Sequence, residues 1–229
     1  MEWTIWQLTD SALPIGGFAH SSGLEAAFAA GSVTRESVES LIHFIQSTLA
    51  NIASLQLPIM EQMWASEAKV EEWERADSLM EALLTTQAAR RASAAQGQAL
   101  LRLAVEAFPD CEGISEVRAF RMRMVAQGEG KHLHGHFSPT LSFLCLCQGV
   151  DLLKAQRMLL FISARGMLSA ANRLSIVGPL QGAQLLHRLQ GYVEQLLDVE
   201  PRKEVYQTDP LLELLQGTHD KLYSRLFNS

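Results

Sequence analysis

Val38, Leu41, Ile42, Ile45, Leu49 and Ile52 recur at i, i+3, i+4, i+7 and onward along one stretch of the chain. On a helix that spacing gathers them into a single stripe, whereas in a strand it would scatter them over both faces. Thr34 stands in front as an N-cap, and Pro58 is expected to bend or stop the helix. The rest of the chain carries the same preference, because Leu and Ala outnumber Val and Ile about threefold. A charged helix is expected over 70–84, and an Ala-rich one over 86–107, ended by Pro109-Asp110. Another spans 114–126 and is stopped by Gly128-Glu129-Gly130. The run PTLSFLCLCQGV is apolar all round. Its Leu and Cys, with few β-branched residues, read as a buried helix. Asp151 caps a long helix to about Ala171, Gly178-Pro179 breaks the chain, and 181–197 forms the last long helix. Helix follows helix with short joints and no strand–helix alternation. The expected fold is therefore an all-α, single-domain bundle of roughly eight to ten helices over residues 1–229.

From Asp198 to Pro210 the chain turns polar and contains Pro201 and Pro210, so a linker is expected there, leading a mobile C-terminal tail over about 198–229. In the terminal THDKLYSRLFNS, Leu222 with Leu226 and Tyr223 with Phe227 are i, i+4 pairs with Arg225 between them. Such a segment either docks back on its own domain or anchors in another protein.

A chain of 229 residues can bury one large core. Its net charge of −6, with Lys and Arg dispersed, argues against nucleic acid as a partner. No apolar run approaches the ~18 residues of a membrane span, and Met1-Glu2-Trp3 opens no signal-peptide pattern. Cys111, Cys145 and Cys147 are too few for a disulfide framework and suit a reducing compartment. The expectation is a cytoplasmic protein, with neither membrane nor nucleic acid as a partner.

Residues 10–25, DSALPIGGFAHSSGLE, hold the densest set of reactive residue types. A nucleophile elbow needs Gly two positions before and after the serine, yet Ala19 precedes Ser21 and His20 precedes Ser22 at that spacing. A phosphate loop needs Gly-Lys-Ser/Thr, and Gly16-Gly17 is followed by Phe18-Ala19. The stretch reads instead as a joint: Asp10 or Ser11 ends a first helix, Pro14 to Gly17 turns, and Ser21 or Ser22 caps the next helix. Phe18, His20 and Glu25 on such a fixed turn suit partner recognition. No catalytic residue and no cofactor is called for.

His132, His134 and His136 alternate in HLHGH, so in extended chain all three imidazoles point one way. Cys145 and Cys147 follow at a distance that would allow a mixed metal site. The pattern lacks paired-ligand spacing on a clear scaffold, and a polar loop with one buried, hydrogen-bonded histidine is the favoured reading, without a resident metal; transient nickel or zinc contact lies between that and a tight site. A metal-dependent enzyme built on His132–His136 is the alternative. Arg157, Arg165 and Arg173 recur every eight residues and spiral by about 80° per step. They either snorkel and pair with acids or present a guanidinium, Arg173 being the candidate, to a nucleotide-binding partner.

Four ordered stretches together resemble the urease accessory protein F family. DSALPIGGFAHSSGLEA is similar to its N-terminal signature, Leu-Pro-Ile-Gly, then His-Ser, then Gly-Leu-Glu. HFSPTLSFLCLCQGVD and ANRLSIVGPLQGAQLL resemble its middle segments, and HDKLYSRLFNS its Ser-Arg-Leu-Phe ending. Around 178–180 the order Gly-Pro-Leu departs from the family's Pro-Leu-Gly, and the histidine cluster is richer. The resemblance implies an all-helical homodimer without catalytic activity. It implies an adaptor that joins the urease accessory D/H protein and the urease accessory GTPase (the G protein) to deliver nickel to apo-urease. Phe18, His20 and Glu25 at one end, and Tyr223, Arg225, Leu226 and Phe227 at the other, are the partner-contact residues it implies.

Overall fold

The computed structural model describes residues 2–67, 69–126, 132–199, 204–207 and 209–228. Ten α-helices follow one another in these residues: α1 (Glu2–Thr9), α2 (Leu24–Ala29), α3 (Val38–Ala65), α4 (Val70–Leu83) and α5 (Gln87–Ala107), then α6 (Ile114–Val125), α7 (Phe137–Cys147), α8 (Leu152–Arg173), α9 (Pro179–Leu197) and α10 (Pro210–Thr218). Short 3-10 turns stand at Gly17–Ala19 and His219–Lys221, and no strand occurs among the described residues. The expected all-α bundle is the fold that forms. The glycines 128 and 130 and Pro201, expected to break the chain, lie outside the described residues.

The apolar run expected as a buried helix is α7, and its residues from Phe137 to Cys145 are all buried. It packs against α3, α4 and α5, while α8 packs on α3 and α9. Trp73 of α4 is sandwiched between Phe120 of α6 and Phe143 of α7, with ring centroids 3.8 and 4.2 Å away. Stacked aromatics of this kind add to the large area each ring buries. Gly97 in α5 permits a close approach: a Cβ there would stand 2.0 Å from the carbonyl oxygen of Gly135. The Ala-rich stretch is thus the face on which the segment entering α7 lies.

Two local expectations are corrected, and the serine cap of α2 holds in part. Ser37, not Thr34, caps α3, its hydroxyl accepting the Ser40 N–H. The helix also does not stop at Pro58, which is buried well inside it. Proline has no N–H to give the carbonyl four residues back, and here that carbonyl, Ser54, accepts the N–H of Tyr206 at 3.4 Å. The chain after α9 thereby supplies the donor that the proline withholds. Finally, α2 is capped by Gly23 in the left-handed region, while the Ser21 hydroxyl accepts the Glu25 N–H at 3.3 Å.

The segment after Asp209 contains α10. Asp209 accepts from the Leu211 and Leu212 N–H groups with Pro210 at the first helical position, an N-terminal signal visible in the sequence. Leu212 and Phe227 are buried, and α10 packs on α2 and α5. Among the described residues beyond Lys221 none is helical, so the i, i+4 pairs of the terminal segment do not stack. Of the two readings for the tail, the described residues show it docked.

Candidate functional site

Residues singled out for partner contact at the two ends of the sequence come together through Glu25 and Arg173. Gly16 and Gly23, at φ of +73° and +86°, turn the corner, and α2 then buries Glu25 against the C-terminal segment. One Glu25 carboxylate oxygen accepts the Leu226 N–H at 2.6 Å. The other accepts the Phe227 N–H at 3.2 Å and lies 3.0 Å from Nε2 of the buried His219. Asn228 N–H donates to the Ala19 carbonyl at 2.8 Å. From α8, the Arg173 guanidinium donates to the Phe18 carbonyl and, at 3.4 Å, to that of Leu226. It also sits 4.4 Å above the Phe227 ring, a favourable cation–π placement. Arg225 and Arg91 of α5 both bind the Asp220 carboxylate, at 2.9 and 2.7 Å. The N-terminal corner, the end of α8 and the tail form one clasp.

Its inner and outer faces differ. Glu25 and Phe227 face inward, Phe227 being 4% exposed. Outward stand Phe18 at 69% exposure, Leu226 at 60% and the fully exposed Tyr223. His20 is half-buried, and burial first, then the charge of His219, lowers its pKa from the ordinary histidine value. Behind the corner lies a cavity of about 390 Å³, bordered by Asp10, Phe18, His20, Gln96, Arg165 and Ser169. The other two arginines are explained locally. Arg157 binds Glu194 of α9 through two 2.8 Å hydrogen bonds, and Arg165 donates to the carbonyl of Thr9 at the end of α1.

The histidine segment enters α7 as non-helical chain that turns at Gly135, in the left-handed region at φ +68°, before the extended His136. The His134 and His136 rings lie 5.7 Å apart, but their third neighbour is Glu81 of α4 rather than His132, which is exposed. His136 Nε2 is 3.0 Å and His134 Nδ1 3.7 Å from the same Glu81 oxygen. Asp77, one helical turn before Glu81 and fully buried, accepts the N–H groups of His134 and His136 at 2.7 and 2.6 Å. Burial holds the His136 ring below its ordinary pKa although Asp77 and Glu81 pull the other way. Among the described residues the cysteines do not join this group. Burial pushes the Cys145 thiol up to about 12, and burial with neighbouring Cys111 and acidic groups does the same to Cys147.

Sequence reasoning passed over Asp77, Glu81 and His219. Asp77 carried a signal: with Trp73, Ala76 and Met80 it falls on one buried stripe of α4, and a carboxylate in such a stripe needs a specific partner.

An all-α protein whose 16–25 corner is clasped to the segment after α10 is the class that fold and site define. A family model described as UreF matches residues 36–190. Over its whole length the chain is 40% identical to urease accessory protein F of Arabidopsis thaliana, covering 93% of that protein. It is 37% identical to urease accessory protein F of Oryza sativa subsp. japonica, with 98% of this chain and 84% of that protein aligned. It is 30% identical to urease accessory protein UreF of Mycobacterium tuberculosis (strain ATCC 25618 / H37Rv), with 97% and 96% aligned. The chain belongs to the urease accessory protein F family, as the four sequence stretches led one to expect. That family is named for an accessory protein, not an enzyme. No helix of the described residues is long and apolar enough to cross a membrane.

Proposed function

We propose that this chain is an adaptor in urease maturation: it joins the urease accessory D/H protein and the urease GTPase, as a homodimer, in the assembly that inserts nickel into apo-urease. It acts by contact rather than by catalysis, in the cytoplasm. The observation that carries the reading is the convergence of Phe18, Arg173, Tyr223, Arg225 and Leu226, from three distant parts of the sequence, on one clasp with an exposed aromatic and aliphatic outer face. Exposed Phe, Tyr and Leu beside arginine are the residues from which interface anchors are built. Glu25, His20 and Phe227 serve the same contact from beneath, by setting where the outer residues stand.

The test is size-exclusion chromatography with light scattering on the full chain co-expressed with the D/H protein and GTPase of its own urease system. Full-length protein is expected to co-elute with them, and a Phe18→Ser/Tyr223→Ser/Leu226→Ser triple variant to lose or weaken that co-elution. The melting temperature of the triple variant should stay close to the parent value, because surface changes away from buried features usually stay within about 0.5 kcal/mol each. A chain that elutes alone under every condition overturns the adaptor reading; undiminished assembly by the triple variant removes the clasp from it.

A further inference from the structure

The geometry points to a binding site for a divalent late first-row cation, of the Ni²⁺ or Zn²⁺ class, formed by Glu81, His134 and His136. Its donor atoms are Glu81 Oε2, His134 Nδ1 and His136 Nε2, all within 4.8 Å of one another. Bonds of 2.0–2.1 Å in tetrahedral array place ligand atoms about 3.4 Å apart. The carboxylate–imidazole separations of 3.0 and 3.7 Å already bracket that value. The two imidazole nitrogens lie within 4.8 Å of one another, a span that rotation of the part-exposed His134 side chain can adjust.

The site is built by its backbone, not by chance contact of side chains. Asp77 fixes the N–H groups of both histidines, and the Gln98 amide donates to the His134 carbonyl at 2.9 Å. The Ser93 hydroxyl accepts the Phe137 N–H at 3.2 Å, and Gly97 admits the Gly135 carbonyl against α5. Arg90 lies 3.6 Å from the other oxygen, Glu81 Oε1, leaving Oε2 to the imidazoles. Two imidazoles with one carboxylate suit a late transition metal, whereas Ca²⁺ and Mg²⁺ take oxygen ligands. His136 is buried while about a third of the Glu81 and His134 side chains is exposed, so an ion enters from solvent and keeps an open position on that side.

The same geometry limits the affinity. With Nε2 on the ion, the ring proton of His136 sits on Nδ1, which is buried and has no hydrogen-bond partner. Tight sites give that second nitrogen an acceptor, and lacking one costs about 10–100-fold in affinity. The ion is therefore held in exchange rather than permanently.

Isothermal titration of Ni²⁺, and separately of Zn²⁺, into chelator-treated full-length protein tests this without any partner, so its outcome is separate from the adaptor reading. One saturable equivalent per chain is expected. His134→Ala and Glu81→Gln should each weaken it roughly tenfold or more, with melting temperatures near the parent value showing both variants folded. His132→Ala should leave binding unchanged. No saturable binding, binding kept in both ligand variants, or an equal loss in His132→Ala overturns the assignment.

Discussion

Glu25 on α2 and Asp77 on α4 are the same device used twice. Each is a buried carboxylate that accepts two backbone N–H groups from a non-helical segment far away in sequence, Leu226 and Phe227 in one case and His134 and His136 in the other. Each also lies against a buried histidine, His219 or His136. What differs is the segment held. The Asp77 segment leads directly into α7, whose side chains fill the centre of the bundle, and it is tethered at both ends. The Glu25 segment stays at the surface, with the side chains of Leu226 and Tyr223 in solvent. A carboxylate clamp on a segment that leads into the core is therefore a folding element, whereas on a segment that stays at the surface it is a latch.

The sharpest way to break the comparison is to remove the two carboxylates one at a time. In Asp77→Ala the two N–H groups stay enclosed by α4, α5 and α7, and each unsatisfied buried group costs about 1–3 kcal/mol. The expected loss is about 3 kcal/mol or more, a fall in Tm of roughly 6–12 °C for a chain of this size, read by thermal unfolding. In Glu25→Ala the same number of N–H groups is orphaned, but the tail can lift off and hydrate them. Its loss is thus capped by the free energy of docking the tail, at about 1–2 kcal/mol. Amide exchange should then quicken over residues 219–228 and not over α7. Equal losses in the two variants, or global exchange in Glu25→Ala, would erase the distinction between clamp and latch.

How much of this was legible in the sequence follows the same division. Helices announce themselves through periodicity, and the long ones, including the buried α7, stand where the pattern puts them. The two ends were legible as adhesive segments but not as neighbours, since no spacing rule relates Phe18 to Leu226. Pro58 misled because its cost in a helix interior assumes that the freed carbonyl goes unpaired, and Tyr206 pairs it. The histidines were misgrouped for a related reason. Alternation correctly aligned His134 with His136 but not with the acid on another helix, and only the packing of α4 against α7 brings Glu81 to them. Asp77 was the cue that sequence offered, a carboxylate inside an apolar stripe.

The smallest expected effect tests whether the latch responds to acid. Burial and the facing His219 lower the pKa of His20, so the unfolded chain takes up this proton more readily than the folded one. Stability then rises with pH across the window in which only the unfolded state is protonated. The contribution is complete above the ordinary histidine value of about 6.5, and is lost as pH falls through that value toward the lowered one. In the folded state a proton on His20 would meet His219, which Glu25 holds in place beside the tail. Acidification should thus act on the latch before it acts on the helices. Comparing Tm at pH 7.5 and 5.5, the parent is expected to lose a few degrees more than His20→Gln. The difference should shrink further when Glu25→Ala has already freed the tail. A parent and a His20→Gln variant with identical pH slopes would show that the corner does not sense protons, leaving the carboxylate alone to hold the latch.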